Sequence, residues 1–263
     1  MSIKAYGRNI GIRVSDEAVL SQLVQVFPPG WEVSDQEEVE MLYSFKVGGA
    51  GKRKGVRHYN LLYAGSGQLV RTHDMDEVFD TLRQHLSFLV ATSSTEGFFI
   101  HGGVVGWQDQ AIVILGPEGS GRTTLVKELV KAGASYYSDQ YAVLNEDGHV
   151  LPYLSNPATR NDDGQYENEC LPEQLGEVGT KPLPVGLALM TTYENGAHWQ
   201  VRPVSVGQAM LAWLEYAVVT RFQPEDAMMR IQKVVTAPTF RSKRGEAADV
   251  ASKILAKVSE EAG

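Results

Sequence analysis

From Ile10 to Val14 apolar and polar residues alternate, with Ile10, Ile12 and Val14 on one side, which predicts a half-buried strand. Ser15 or Asp16 then caps a short helix carrying Ala18, Val19, Leu23 and Val26, and Phe27-Pro28-Pro29-Gly30 ends it. Met41 to Val47 and Val56 to Tyr63 read as strands around a glycine-rich loop, Gly48 to Gly55. The basic cluster Lys52-Arg53-Lys54 at its tip reads as a solvated hairpin end. Gln68 to Thr72 is a further strand. The period then changes. Val78, Phe79, Leu82, Leu86, Leu89 and Val90 share one face of a helix predicted over Asp76 to Ala91. The polar run Ala91 to Thr95 marks a domain boundary, with a small α+β domain over residues 1–95 and a second domain over 96–263.

In the second domain Phe98, Phe99 and Ile100 form a buried strand ending at His101-Gly102-Gly103, with Val104 to Trp107 as its continuation. Ala111 to Leu115 is a short apolar run. Leu125, Val126, Leu129 and Val130 lie on one face of a helix that Gly133 stops. Ser135 to Leu144 reads as one strand through Ser138-Asp139-Gln140, and Asn145 to Gly148 turns a hairpin into His149 to Tyr153. Residues 154–182 are rich in Asn, Asp, Glu, Gly and Pro and show no period. So long an irregular segment predicts a functional or mobile loop. Strands return at Val185 to Tyr193 and His198 to Arg202. The remainder reads as a helical tail. Ser205 with Gln208 makes a capping box, Pro224-Glu225-Asp226 opens a second helix, and Ala247, Val250, Ala251, Ile254, Leu255 and Val258 face a third. The fold class expected is α/β, a nucleotide-binding domain with a mixed sheet.

Composition narrows the partners. A net charge of −8 over 263 residues argues against an electrostatic nucleic-acid binder, which needs a basic face. No apolar run reaches membrane-spanning length, so no membrane partner is expected. The single Cys170, isolated among polar residues, excludes an intrachain disulfide framework and suggests a reducing compartment. With no signal-peptide pattern at the start, the expected localisation is cytoplasmic.

The chemistry centres on residues 111 to 124, AIVILGPEGSGRTT. An apolar strand runs into Gly116-Pro117-Glu118-Gly119-Ser120-Gly121, followed by Arg122-Thr123-Thr124 at the start of a helix. Strand, glycine turn and helix are the context a P-loop requires. Turn N–H groups wrap an anionic oxygen, and the helix N-terminus adds partial positive charge. Gly116, Gly119 and Gly121 are expected to supply positive φ angles and close backbone approach. Thr123 stands where a hydroxyl ligates Mg²⁺. Arg122 stands where the P-loop pattern has lysine, and a planar fork does not substitute simply for a compact ammonium.

The stretches FIHGGVV (Phe99 to Val105), GPEGSGRTTL (Gly116 to Leu125) and ELVKAGASYYSDQYAVL (Glu128 to Leu144) resemble HPr kinase/phosphorylase. They also resemble the wider group that shares its phosphoenolpyruvate-carboxykinase-like nucleotide fold. The likeness covers residues 96 to 153 best, in the manner of a bacterial paralogue rather than HPr kinase itself. It implies that the Gly116 to Thr124 loop holds ATP phosphates and that Thr123 helps hold Mg²⁺. It also implies that Asp139 is the base for an attacking hydroxyl and that His101 positions or neutralises the γ-phosphate. Arg122 joins these two as the third candidate catalytic residue. The chain departs from that family at Arg122, at Gln140 (where the family has a second aspartate) and in lacking a Glu-Val-Arg-Gly signature. The expected function is an ATP-dependent kinase acting on a hydroxyl of a protein, peptide or small molecule. The alternative is a nucleotide- or phosphate-binding regulatory pseudokinase. Relatives of this kind are often homo-oligomers. Arg160, Arg241 and Arg244 read as surface residues.

Overall fold

The computed structural model describes residues 1–49, 58–117, 119–160, 166–167, 170–220 and 222–261. The basic loop tip, Glu118 and much of the segment after Arg160 lie outside the described residues. The chain divides into two compact units, Met1–Glu96 and Gly97–Gly263.

The first unit runs β1 (Ser2–Ala5), β2 (Arg8–Val14), α1 (Leu20–Leu23), β3 (Glu32–Val33), β4 (Met41–Lys46), β5 (Asn60–Ala64), β6 (Gly67–Thr72) and α2 (Met75–Ser93). Its six strands lie in the order β3-β1-β2-β4-β5-β6. The sheet is mixed because β2 and β4 run parallel while the other described pairs are antiparallel. Alternation does the sorting: Ile3, Ala5, Ile10, Ile12, Tyr43, Phe45 and Leu62 are buried, as are Val78, Leu82, Leu86 and Val90 along α2. Asp74 caps α2 by accepting the Asp76 N–H at 3.0 Å, and Asp76 and Glu77 suit the positive end of the helix dipole. The run Ala91 to Ser93, expected as a link, is instead the last turn of α2. The Thr92 and Ser93 hydroxyls donate to the carbonyls of Phe88 and Leu89, each at 2.7 Å, so their polarity does not break the helix.

The second unit runs β7 (Phe98–Trp107), β8 (Gln110–Leu115), α3 (Arg122–Lys131), β9 (Ser135–Ser138), β10 (Tyr141–Leu144), β11 (Val150–Leu151), β12 (Thr159–Arg160), β13 (Tyr166–Glu167) and α4 (Pro172–Leu175). It continues with β14 (Val185–Tyr193), β15 (Gln200–Pro203), α5 (Val206–Tyr216), α6 (Pro224–Gln232), β16 (Thr239–Arg244) and α7 (Ala247–Glu261). Its eight-stranded sheet has the order β11-β10-β7-β8-β14-β16-β15, with β9 also on β7. The strands β8, β14 and β16 are parallel and the other pairs antiparallel, so this sheet too is mixed. The described parts of 154–182 hold the small β12–β13 ladder, α4 and a bridge from Val178 to Tyr136.

Each face of the large sheet has its own core. On one, Ile100, Val104, Val113, Leu115 and Ala188 pack with Trp213 of α5 and Ile231 of α6. On the other, Val105, Ile112, Ile114, Leu189 and Phe240 pack with Leu125 and Val126 of α3 and with Val250 and Ile254 of α7. The tail is therefore not wholly helical. Thr239–Arg244 is a central strand between β14 and β15. Among the described residues no helix is long and apolar enough to cross a membrane.

Candidate functional site

The three parallel strands β8, β14 and β16 end side by side. Open α/β sheets bind ligands just outside such carboxyl ends. The glycine turn leaves β8 here and enters α3. Gly119 and Gly121 adopt φ of +79° and +78°, and Gly121 is the N-cap residue of α3. Gly116 differs from expectation: its φ is not positive, and its requirement is room, since an added Cβ would lie 2.8 Å from Ser120 Oγ. The leading N–H groups of a helix have no partner within it and face outward as anion donors. Among the described residues Ser120 Oγ is buried without a hydrogen-bond partner, an orphaned polar atom inside the turn. Thr124 is exposed on the first turn of α3, and Pro117 turns the chain by accepting the Ser120 N–H at 3.2 Å.

Asp139 reaches this turn through a defect in the sheet. The pairing Ser138↔Val104 shifts to Tyr136↔Val105, so Tyr137 is an extra residue, a β-bulge. Strict alternation would put Tyr136 and Asp139 on opposite faces of the sheet. With the bulge both face α3, and the register sets Asp139 across from Gly103. A Cβ on Gly103 would stand 2.7 Å from Val126 of α3, so only glycine lets the helix lie this close beside the carboxylate.

The Asp139 carboxylate accepts from three hydroxyls. Thr123 Oγ1 donates to Oδ2 at 2.9 Å, Ser155 Oγ to Oδ1 at 3.2 Å, and the Tyr136 phenol reaches Oδ1 at 3.1 Å. The Tyr136 phenol also lies 2.8 Å from the Ser155 carbonyl. Burial raises the Asp139 carboxyl above the usual carboxylate range, and the Thr123, Tyr136 and Ser155 hydrogen bonds pull it back. Burial, and secondarily the Asp139 charge, hold the Tyr136 phenol well above its ordinary value.

His101 is exposed on β7, paired with Tyr141 and with its ring 5.1 Å from that ring. It lies two residue pairs along from Gly103 and Asp139, and so on the same face. Arg122 begins α3 half-buried. Burial, and secondarily Glu215, raise the Tyr216 phenol at the end of α5 above its ordinary value, and the charges of Arg122 and Arg241 pull it part of the way back. Gln140 continues the ladder by accepting the Gly102 N–H at 3.2 Å, and alternation turns it away from Asp139.

Arg244 corrects the sequence reading. It is 2% exposed, at the end of β16, and its Nη2 donates to the carbonyls of Gly121 at 2.9 Å and Ser120 at 3.4 Å. Its Nη1 donates to Gly245 O at 3.0 Å. The guanidinium thus gathers the turn's carbonyls on one side, which leaves the N–H groups facing the other. Tyr193 holds Glu246 at 2.9 Å beside it, and the Tyr193 ring lies 5.7 Å from the guanidinium carbon. The signal in the sequence was the alternation of Phe240, Ser242 and Arg244 directly after Pro238. Tyr136 and Ser155, also missed, carried no sequence signal, because their meeting depends on the bulge.

Among the described residues no cluster of three or more His, Cys, Asp or Glu forms a metal cage. The donor set fits Mg²⁺ all the same, since that ion is commonly held by one or two protein oxygens together with substrate phosphates. Thr123 Oγ1 is that protein oxygen at the turn, with its proton given to Asp139 in a hydrogen bond. A cleft of about 280 Å³ lined by His198, Trp199, Glu246, Asp249 and Lys253 among others takes no residue from the turn, Asp139 or His101.

No family model and no curated protein matches the chain. Among solved structures it has a distant likeness to the Hpr(Ser) kinase/phosphatase of Coxiella burnetii. The identity is 12%, the match covers 62% of this chain and 94% of that one, and the TM-score is 0.36. A likeness at that level carries no argument about the site or its reaction.

Proposed function

We propose that the second unit binds the phosphates of ATP at Gly116 to Thr124 and transfers the terminal phosphoryl group to a hydroxyl. The observation that carries this reading is the Thr123–Asp139 hydrogen bond at 2.9 Å. It joins the first turn of a helix behind a glycine-rich strand exit to an acid just past the end of β9, a strand paired with β7. Mg²⁺, when bound, neutralises charge on the phosphates. Thr123 would hold it, its hydroxyl oriented by Asp139, which is also the base that takes the proton of the attacking hydroxyl. The turn N–H groups orient the phosphates, Arg244 fixes the turn from behind, and His101 adds a donor on the same face. Phosphoryl transfer asks for positioning and charge neutralisation more than covalent chemistry, which suits a site of this kind.

A second reading, nucleotide binding with little turnover, draws on Arg122. Its charge lies in electrostatic range of Tyr216, and arginine pairs with phosphate as a planar fork rather than as a point.

Titration calorimetry with Mg·ADP and Mg·ATP tests the common part of both readings. At a hundredfold excess over Kd, nucleotide should add about 2.7 kcal/mol to the stability of the second unit. Gly121→Val should abolish that gain, because a side chain at φ +78° would be strained and would strike Arg244 Nη2 at 2.7 Å. No heat and no stabilisation with the unaltered protein would sink the proposal.

A further inference from the structure

Three hydroxyls surround the Asp139 carboxylate, and they are not equivalent. Tyr136 is fully buried beneath the turn, and its phenol is shared between Asp139 and the Ser155 carbonyl. Thr123 sits on the first turn of α3, at the metal-holding position. Ser155 belongs to neither category. It is only partly buried, it follows the last paired strand of the sheet's edge, and its hydroxyl lies 3.2 Å from Asp139 Oδ1.

The backbone around Ser155 is fixed at several points. Tyr153 N–H donates to Tyr137 O at 3.0 Å, and Ser155 N–H donates to Tyr153 O at 2.8 Å. The Ser155 carbonyl accepts from Tyr136 at 2.8 Å. The hydroxyl is thus held in place before any substrate arrives, so no ordering cost falls at the moment of reaction. Ser155 and Thr123 use opposite oxygens of one carboxylate. Thr123 would hold Mg²⁺ with the phosphates, and the ion would supply charge neutralisation at the carboxylate that Ser155 Oγ also touches. A hydroxyl attacks phosphorus from about 3–3.5 Å.

We infer that Ser155 is a phosphoacceptor within the chain itself, modified by a nucleoside triphosphate held at Gly116 to Thr124. The inference rests on the phosphoryl-transfer reading and names the acceptor it lacked. In the step, the bond between Ser155 Oγ and the γ-phosphorus forms. The bond from that phosphorus to the β–γ bridging oxygen breaks, and its electron pair leaves with the nucleoside diphosphate. The serine proton passes to Asp139 Oδ1. No other reactant is needed. The phosphoserine carries about −1.5 to −2 charges at neutral pH next to an aspartate, so repulsion drives the product residue out of its place and the reaction stops after one event per chain.

The test incubates the full-length protein with Mg·ATP labelled on the γ-phosphate, maps the label by peptide mass spectrometry, and measures Mg·ADP binding on the same preparation. Label is expected on Ser155, with a rate per chain independent of protein concentration. Ser155→Ala should lose the label while still binding Mg·ADP, and Ser155→Thr should regain it as phosphothreonine. Nucleotide binding without label on Ser155, or label on another residue that survives Ser155→Ala, overturns the inference and leaves the nucleotide reading standing. Failure to bind Mg·ADP removes both.

Discussion

Two residues at the turn carry opposite expectations. Arg122 brings a fork where a compact ammonium would slip between backbone N–H groups, and its charge, like that of Arg241, is felt at Tyr216. A fork can still grip phosphate oxygens in pairs, so binding survives while the terminal phosphate is held off the line of attack. Arg122→Lys should therefore raise the rate of phosphate release or transfer. Asp139→Asn should remove it with nucleotide affinity little changed, since the amide keeps the size but not the basicity. Both rates belong at saturating Mg·ATP, so that differences in binding do not enter. A lower rate in Arg122→Lys together with an intact rate in Asp139→Asn would reverse both assignments. That Thr123 and Asp139 meet was anticipated by the likeness to HPr kinase/phosphorylase, which placed both at one site together with His101. Arg244 was not. A buried arginine is rare, and its partners, Ser120 and Gly121, lie far away along the chain and offer carbonyls that no sequence displays.

Elements were read well wherever one period ran long enough. The helix carrying Val78, Leu82, Leu86 and Val90 and the capping box at Ser205 and Gln208 both stand as expected. β16 was lost among helices because, beyond Phe240, its inward residues are polar: Ser242 is buried by accepting the Trp199 Nε1–H at 3.1 Å, and Arg244 by the turn. In the first unit, α2 is tied to the sheet by a polar contact as well as by its apolar face. The Tyr43 hydroxyl of β4 lies 2.6 Å from His85 Nδ1. Burial lowers the His85 pKa, so the folded state favours the neutral ring. The unfolded chain takes up its proton near pH 6.5, ahead of the folded one. The His85 contribution is therefore whole above about pH 7 and is lost as the pH falls through 6.5 toward the lower folded value. Urea midpoints of the first unit's transition should fall between pH 7.5 and pH 5, and His85→Gln should flatten that slope. An unchanged slope in the variant would place the pH dependence elsewhere.

At the scale of the whole molecule, the candidate chemistry is confined to Gly97–Gly263, and each unit has its own sheet. A core truncation in one should then be a local event. Leu86 is fully buried in the first unit, and Leu86→Ala should cost that unit about 2–5 kcal/mol. Mg·ADP affinity, measured by calorimetry below the new transition, should stay where it was. A substantial loss of affinity would mean that the first unit takes part in the site. The sequence places its boundary between residues 95 and 96 and the chain divides after Glu96, although Ala91 to Ser93, expected as a link, is part of a helix; β16, which looks like a surface segment, was not read.

The extra residue at Tyr137 has a consequence for how such a protein changes over generations. Aspartate reaches the turn because of a count, the number of residues between Tyr136 and Asp139, and not because of what those residues are. Losing one codon from that interval would leave Tyr136 and Asp139 two apart, where plain alternation already puts both on one face and no bulge is needed. Exchanging Tyr137 for another apolar residue would leave the count intact. The bulge is thus an insertion that the sheet absorbed, and a lineage can carry or drop that one residue while keeping every residue that names the chemistry.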